Sequence, residues 1–283
     1  MAEPRALALR EETIGVLRPL ADLAAPVAPG ADAPWDQLVR IAERQIDLAA
    51  TCGASLAFEE DFPGWRAAFA RRRIGRLVLE RMRKGASADP TTIARDVVRH
   101  EVRTSQSGLA RWLGELGPGG EAAVVRDAVS FAVAARAAFR TWPPSEQTRF
   151  DDAFHWQLPG RALRLEATVD AVTRGDARAL LVFATSVDDE PGERRDVAWP
   201  AFVATLRTGQ VPNTVVRIDL ASGDRRTVPV TDDVLDLGLT SAARAVEAAV
   251  AARFTAPAEP TPGRWCRWCA GRDHCPAASH YGS

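Results

Sequence analysis

Four cysteines, Cys52, Cys266, Cys269 and Cys275, are the side chains of this sequence best suited to chemistry. Three of them crowd into one C-terminal segment, GRWCRWCAGRDHCP, as C-x2-C-x5-C among Gly, Arg and Pro and without helical or strand periodicity. Thiolates are soft ligands suited to zinc or to iron–sulfur clusters. A C-x2-C pair lets two sulfurs reach one metal, and a third follows after a short turn. Cys52 is the one cysteine left to fill a fourth corner, and in that role it would staple the C-terminus to the N-terminal helices. Two other readings stand beside it. Zinc could be held by the three tail cysteines with His274 or His280. Cys266 and Cys269 could instead form a redox disulfide, although such motifs usually open a helix beside a strand.

The elements that must position these residues sit in an ordinary globular composition. Of 283 residues, 46% are hydrophobic and 26% charged, with a formal net charge of -1. No apolar run approaches the ~18 residues of a membrane span. The first residues, MAEPRALALREE, do not read as a secretory signal. A cytoplasmic location is therefore expected, where thiols stay reduced and clustered cysteines favour metal over disulfide. Arginine carries almost all the positive charge, because Lys84 is the only lysine.

The pattern predicts a helical first half followed by a mixed sheet, an α/β (α+β) fold. Residues 1–34 read as a short helix and an Ala/Pro/Gly linker, and 35–283 as a single domain. Within that domain, 35–145 form a helical part carrying Cys52, 150–255 an α/β core, and 256–283 the cysteine tail. Apolar residues recur at helical spacing from Trp35 to about Arg83, broken at DFPGW, then over about 91–116, and again from Glu121 to Thr141. The period then changes. Leu163, Leu165, Ala167 and Val169 alternate with polar residues, as in a half-buried strand. ALLVFATSV reads as a central strand, 197–208 as a helix, NTVVRIDL and RRTVPVT as a hairpin across ASGD, and Leu239–Phe254 as a last helix.

One upstream cysteine, a C-x2-C-x5-C tail and a mixed α/β core together resemble the RecB-like branch of the PD-(D/E)XK nucleases. The likeness is to its iron–sulfur members, such as the AddB nuclease domain and the CRISPR-associated iron–sulfur exonucleases. The segment from Cys52 to Met82 is similar to the family's first cluster cysteine followed by its Gly-x-x-Val-His helix, with Gly75 and Val78 in place. LEATVDAVTRGDARALLVFATS resembles the Gly-x-x-Asp strand followed by Asp-x-Lys, and VAWPAFVATLRTG the helix carrying Gln-x3-Tyr. The resemblance spans about 45–283. It implies a [4Fe-4S] cluster on Cys52, Cys266, Cys269 and Cys275, and a Mg2+/Mn2+-dependent nuclease site.

That nuclease site is depleted here. Position by position, the family histidine falls on Leu79, the second acid on Phe183, the lysine on Thr185, and Gln and Tyr on Ala198 and Phe202. Only the first metal-binding aspartate persists, as Asp170, with Ala167 in place of the family glycine. Mg2+ prefers hard oxygen ligands, and phosphodiester hydrolysis needs more than one carboxylate and a group to orient water. Asp188, Asp189 and Glu193 are the acids nearby that could rebuild such a site. The expectation is a catalytically degenerate nuclease fold that binds single-stranded DNA or serves a helicase or other DNA-processing partner. The alternatives are an active exonuclease with displaced ligands and a zinc-stapled interaction module. Candidate DNA contacts are Arg71, Arg72, Arg73 and Arg76, on a basic helix with Ile74, Leu77 and Val78 as its apolar stripe, and Trp268 in the tail.

Overall fold

A computed structural model describes residues 3–27, 37–58, 67–85, 88–105, 107–141, 148–173, 178–184, 190–263, 265–266, 269 and 271–281. Its helices are α1 (Pro4–Leu20), α2 (Glu43–Cys52), α3 (Ala67–Arg83), α4 (Pro90–Thr104), α5 (Gly108–Glu115), α6 (Pro118–Thr141), α7 (Glu190–Thr208) and α8 (Asp232–Phe254). Its strands are β1 (Val39–Ile41), β2 (Thr148–Gln157), β3 (Leu163–Thr173), β4 (Ala179–Ala184), β5 (Thr214–Asp219) and β6 (Arg225–Pro229). The class is the mixed α/β arrangement that the sequence implies. Among the described residues no helix is long and apolar enough to cross a membrane.

The sheet is organised around β3. Its whole length pairs antiparallel with β2, from Thr148 opposite Thr173 to Gln157 opposite Arg164. Its other edge is shared: β1 pairs parallel at Leu163–Leu165, and β4 antiparallel at Ala171 and Val172. β4 continues parallel to β5, and β5 closes with β6 as the expected antiparallel hairpin. Burial along β3 alternates through its first half and then becomes continuous from Val169 to Val172. There both faces of the sheet are covered. One face carries α1, α2, α7 and α8, whose Leu9, Trp199, Phe202 and Val246 pack on Leu165, Val169, Leu180 and Val215. The other carries α3 to α6, whose Ile74, Val78, Val98 and Phe131 pack on Ala171, Leu181, Phe183 and Ile218.

Several boundaries differ from the sequence reading, each for a local reason. The run at 91–116 is two helices, because Ser107 accepts the Ala110 N–H and caps a new start. The acidic stretch read as a loop contributes its residues 190–196 to α7. α8 starts at Asp232, where Asp232 and Asp233 suit the positive end of the helix dipole. Strands β1 and β2 were not expected. β1 is three residues long, and β2 carries Asp151 and Asp152 in mid-strand, which hides any alternation. α1 joins the core directly: Leu9 and Leu17 are fully buried, and Arg10 donates to the Leu206 carbonyl of α7.

Candidate functional site

Asp170 lies on β3 where burial is continuous, and it is 3% exposed. α3 crosses above it because Gly75 has no side chain. A Cβ there would stand 2.5 Å from the Phe131 ring of α6, so the glycine sets how closely the two helices approach. This places two arginines, four residues and one turn apart, over the carboxylate. Arg72 Nη2 donates to Oδ2 at 3.1 Å, and Arg76 donates to Oδ1 through Nε at 3.0 Å and again through Nη2. The Phe183 backbone N–H of β4 donates to Oδ2 at 2.6 Å. Two carboxylate oxygens offer about four lone-pair positions, and here those positions are all taken by donors of the chain itself. A cation-binding aspartate would instead keep an oxygen for its metal.

Beside Asp170 lies a cavity of about 440 Å³ whose wall on one side is the outer face of α3. Arg73, Arg76, Leu77, Leu79, Glu80 and Arg83 of that helix and Lys84 just after it line the cavity, with Phe150 of β2, Asp170 and Phe183 opposite. Lys84 bridges to Glu80 at 2.6 Å, and the Arg83 guanidinium carbon lies 3.2 Å from the centre of the Phe150 ring. Arg73 is exposed. Arg71 turns the other way, toward Asp127 and Ser130 of α6, beside a smaller cavity of about 160 Å³.

The positions named by the resemblance separate into two groups. Leu79 and Phe183 do come to the Asp170 cavity, as apolar walls. Phe183 is edge-on to Phe131 and to Phe139, with ring centres 6.1 and 5.7 Å away. Ala198 and Phe202 do not reach it. Both are fully buried on the opposite face of the sheet, where Phe202 and the Ala198 carbonyl pack against Gly238 of α8. Thr185, Asp188, Asp189 and Trp268 lie outside the described residues, and Glu193 falls in the first turns of α7.

Two carboxylates near β3 carry no sequence signal. Glu43, in the first turn of α2, accepts the Thr168 N–H at 2.7 Å. Burial pushes its carboxyl above the ordinary range, against the pull of the Thr168 hydrogen bond and the Arg72 charge. Glu166 has the opposite balance. Burial alone would raise it, but Arg40, at 3.1 and 2.5 Å, and Arg164, at 2.7 Å, hold it below the ordinary range. The Glu43–Thr168 and Arg40–Glu166 bonds join residues 125 and 126 apart, a separation that leaves no periodic trace.

The cysteine tail docks on the 3-10 turn Gly53–Phe58 that follows Cys52. Three contacts hold it there. Gly53 sits against Ala258, the Thr261 N–H points at Cys52 Sγ at 3.4 Å, and Gly271 lies flat on the Phe58 ring, where a Cβ would be 2.2 Å from it. Within the tail, backbone bonds of the three-residue turn type link Gly263 to Cys266, Cys266 to Cys269, Cys269 to Arg272, Arg272 to Cys275 and Cys275 to Ala278. Side chains three apart in such turns fall on the same side, which suits Cys266 and Cys269 as a pair. Gly263 N–H also points at Cys266 Sγ at 3.4 Å. All four cysteines are free thiols; Cys52 and Cys266 are buried, Cys269 and Cys275 half-buried. Among the described residues no three His, Cys, Asp or Glu side chains converge closely enough to hold a metal ion. In kind, the donor set fits a soft metal or cluster: sulfurs on both sides of one contact, two of them facing backbone N–H groups, as in cluster sites. His274 is exposed.

No protein-family pattern and no curated protein matches the chain. Two solved structures are similar at low identity. One is a candidate exonuclease from Eubacterium rectale, at 13% identity and a TM-score of 0.45, covering 85% of this chain and 93% of that one. The other is the protein SSO0001, at 13% identity and a TM-score of 0.34, covering 76% of this chain and 98% of that one. At these scores neither likeness assigns the chain to a family.

Proposed function

We propose that this chain is a non-cleaving member of the RecB-like nuclease fold that binds single-stranded DNA, with its four cysteines holding a [4Fe-4S] cluster that staples the tail to the N-terminal helices. The observation that carries the first part is the enclosure of Asp170 by Arg72, Arg76 and the Phe183 N–H. Mg2+ or Mn2+ binds carboxylate oxygen at about 2.1 Å and needs several such ligands. Here it would have to displace two guanidinium groups and then sit beside their positive charge. Phe183, where a second acid would stand, contributes a ring to an aromatic cluster and no oxygen. What remains at the site is basic and partly apolar, which suits phosphate binding rather than water activation.

Support for the staple comes from the chemistry of the donor set and from the Cys52–Thr261 contact, which joins residues 209 apart. A cluster there would supply a rigid cross-link between the tail and the turn Gly53–Phe58. Cys52, Cys266, Cys269 and Cys275 would be its ligands, and the Thr261 and Gly263 N–H groups would hydrogen-bond to its sulfurs. A zinc ion on the same cysteines would serve the same mechanical end.

The test is a cleavage assay on single-stranded and duplex DNA with Mg2+ and with Mn2+, run beside binding at low salt, where phosphate contacts are strongest. The expected result is binding without cleavage. Metal-dependent cleavage that Asp170→Ala abolishes would replace this reading with that of an exonuclease with displaced ligands. A protein with one zinc and no affinity for DNA would make it an interaction module for a protein partner.

A further inference from the structure

From the glycines of the tail we infer that two aromatic side chains, Phe58 and Trp265, seat it on the turn Gly53–Phe58 and are positioning residues for the four-cysteine metal centre. This deepens the staple of the proposed function and rests on that reading. Beyond α8 the chain is exposed through Pro262. Among the described tail residues burial returns at Gly263, Cys266, Gly271 and Ala278. Two of these are glycines, and each lies against an aromatic ring. A Cβ on Gly271 would overlap the Phe58 ring, and one on Gly263 would overlap the six-membered ring of the Trp265 indole. Neither glycine is needed for its backbone angles. Gly271 has a φ of -86°, open to any residue, and Gly263 is not left-handed either. What excludes a side chain at both places is the nearness of the ring.

The two clasps bracket the cysteines. Trp265 folds back over Gly263 and donates from Nε1 to the Thr261 carbonyl at 2.9 Å. That fixes the segment carrying both N–H groups aimed at sulfur, Thr261 at Cys52 and Gly263 at Cys266, each at 3.4 Å. The second clasp joins two distant segments. Phe58 ends the turn that begins directly after Cys52, while Gly271 lies between Cys269 and Cys275. It therefore sets the later half of the tail against the segment of the upstream cysteine. Phe58 is 37% exposed even with Gly271 upon it, so departure of the tail would open still more of the ring to water. Rings, carbonyls and N–H groups make these contacts. They close the loop between residues 209 apart whatever the sulfurs hold, which lowers the entropy cost of gathering four ligands.

The test uses the full chain purified without oxygen and reads two rates. One is release of bound iron or zinc to a chromogenic chelator; the other is alkylation of Cys52 by iodoacetamide, followed by peptide mass spectrometry. Gly271→Ala and Trp265→Ala should each speed both by about tenfold or more. Trp265→Phe keeps a ring over Gly263 and loses the N–H, and should speed them about fivefold. Phe58→Leu added to Gly271→Ala makes room for the new methyl group, so the double variant should be slower on both counts than Gly271→Ala alone. A general loss of stability would not be rescued in this way. Val98→Ala, in the core on the opposite face of the sheet, should weaken the fold in urea and leave both rates within about twofold. The inference fails if Gly271→Ala and Trp265→Ala behave like wild type, if Phe58→Leu does not slow Gly271→Ala, or if Val98→Ala opens Cys52 as far as they do. A chain carrying neither iron nor zinc is a separate failure, that of the staple itself; alkylation of Cys52 then decides alone whether the rings seat the tail.

Discussion

The Asp170 site and the cysteine tail differ in where their polar groups find partners. Around Asp170 every carboxylate lone pair is met by a donor from the chain, so the site is complete as it stands. In the tail the four thiols come from two distant segments that meet in a packed contact, and Cys52 and Cys266 receive only backbone N–H groups, from Thr261 and Gly263. The first arrangement reads as a metal site closed by arginine. Under the proposed function, the second is a ligand set whose members would gain their strongest partner from a bound metal centre. The proposed non-cleaving fold with a mechanical staple accounts for the contrast, because replacing a metal by guanidinium would preserve a charged buried residue, whereas losing a thiolate ligand would remove a cross-link.

The sharpest way to break the comparison is at Cys52. Cys52→Ser removes one of four ligands and should take iron from about four per chain to near none, with sulfide falling in parallel. Metal and sulfide analysis of protein purified without oxygen reads it directly. Full cluster content in this variant would mean that the tail closes its centre without Cys52, and the staple would be lost as an idea. Next in size is Asp170→Ala. Because the carboxylate is buried under two guanidiniums, its removal should cost about 3 kcal/mol in chemical denaturation, toward the low end for a broken buried pair. The low end applies because the Arg72 side chain is 37% exposed and can turn to solvent. Arg76→Ala should cost more than Arg72→Ala, since the Arg76 side chain is only 16% exposed. At a vacant metal site, deleting an aspartate relieves charge and stabilises the protein. A gain in stability from Asp170→Ala would therefore reverse the assignment.

How far these two regions were legible depends on the distance over which their parts interact. The tail announces itself, because its three cysteines lie within ten residues and their clustering can be read from spacing. The hairpin β5–β6 and the alternating half of β3 are equally plain, since turn chemistry and period are local signals. Asp170 is reachable only by resemblance, and its partners Arg72 and Arg76 lie 98 and 94 residues away. Nothing in RRRIGRLV separates an arginine that closes a carboxylate from one that faces solvent. All four of Arg71, Arg72, Arg73 and Arg76 read alike as DNA contacts, yet two of them bond Asp170 and one turns toward α6. The placing of positions 198 and 202 by resemblance likewise could not reveal that they face α8, because the face a helix presents to a sheet is decided by packing.

A smaller effect tests the helix crossing that makes the Asp170 site possible. Gly75→Ala puts a methyl group 2.5 Å from the Phe131 ring, whose own edge-on contact with Phe183 limits its freedom to move. The helices must then separate, at about 2 kcal/mol, the usual scale of overpacking. The same separation should loosen Arg76 from Asp170, so a double variant Gly75→Ala/Asp170→Ala should be less destabilised than the sum of its parts. Strict additivity would show that α3 does not transmit the crossing to the carboxylate.

The smallest expected effect separates carboxylates that arginine satisfies from one that it does not bond. Glu43 receives the Thr168 N–H, and among the described residues no guanidinium hydrogen-bonds to it; burial holds its pKa above 4.5. Its folded form thus keeps a proton more firmly than its unfolded form. Stability from this group is full below pH 4.5 and declines as pH rises through the elevated folded value. Glu166, held low by Arg40 and Arg164, does the reverse: its contribution is present above 4.5 and disappears as pH falls through the depressed folded value. Glu43→Gln keeps a carbonyl oxygen for Thr168 and removes the charge. It should abolish the decline above pH 4.5 and raise neutral-pH stability by less than about 1 kcal/mol. Glu166→Gln should lower neutral-pH stability instead, since it leaves Arg40 and Arg164 without their anion. Urea unfolding across this pH range measures both slopes. If the two variants shift stability in the same direction, burial and arginine pairing are not what distinguishes these carboxylates, and the contrast drawn around Asp170 loses its electrostatic basis.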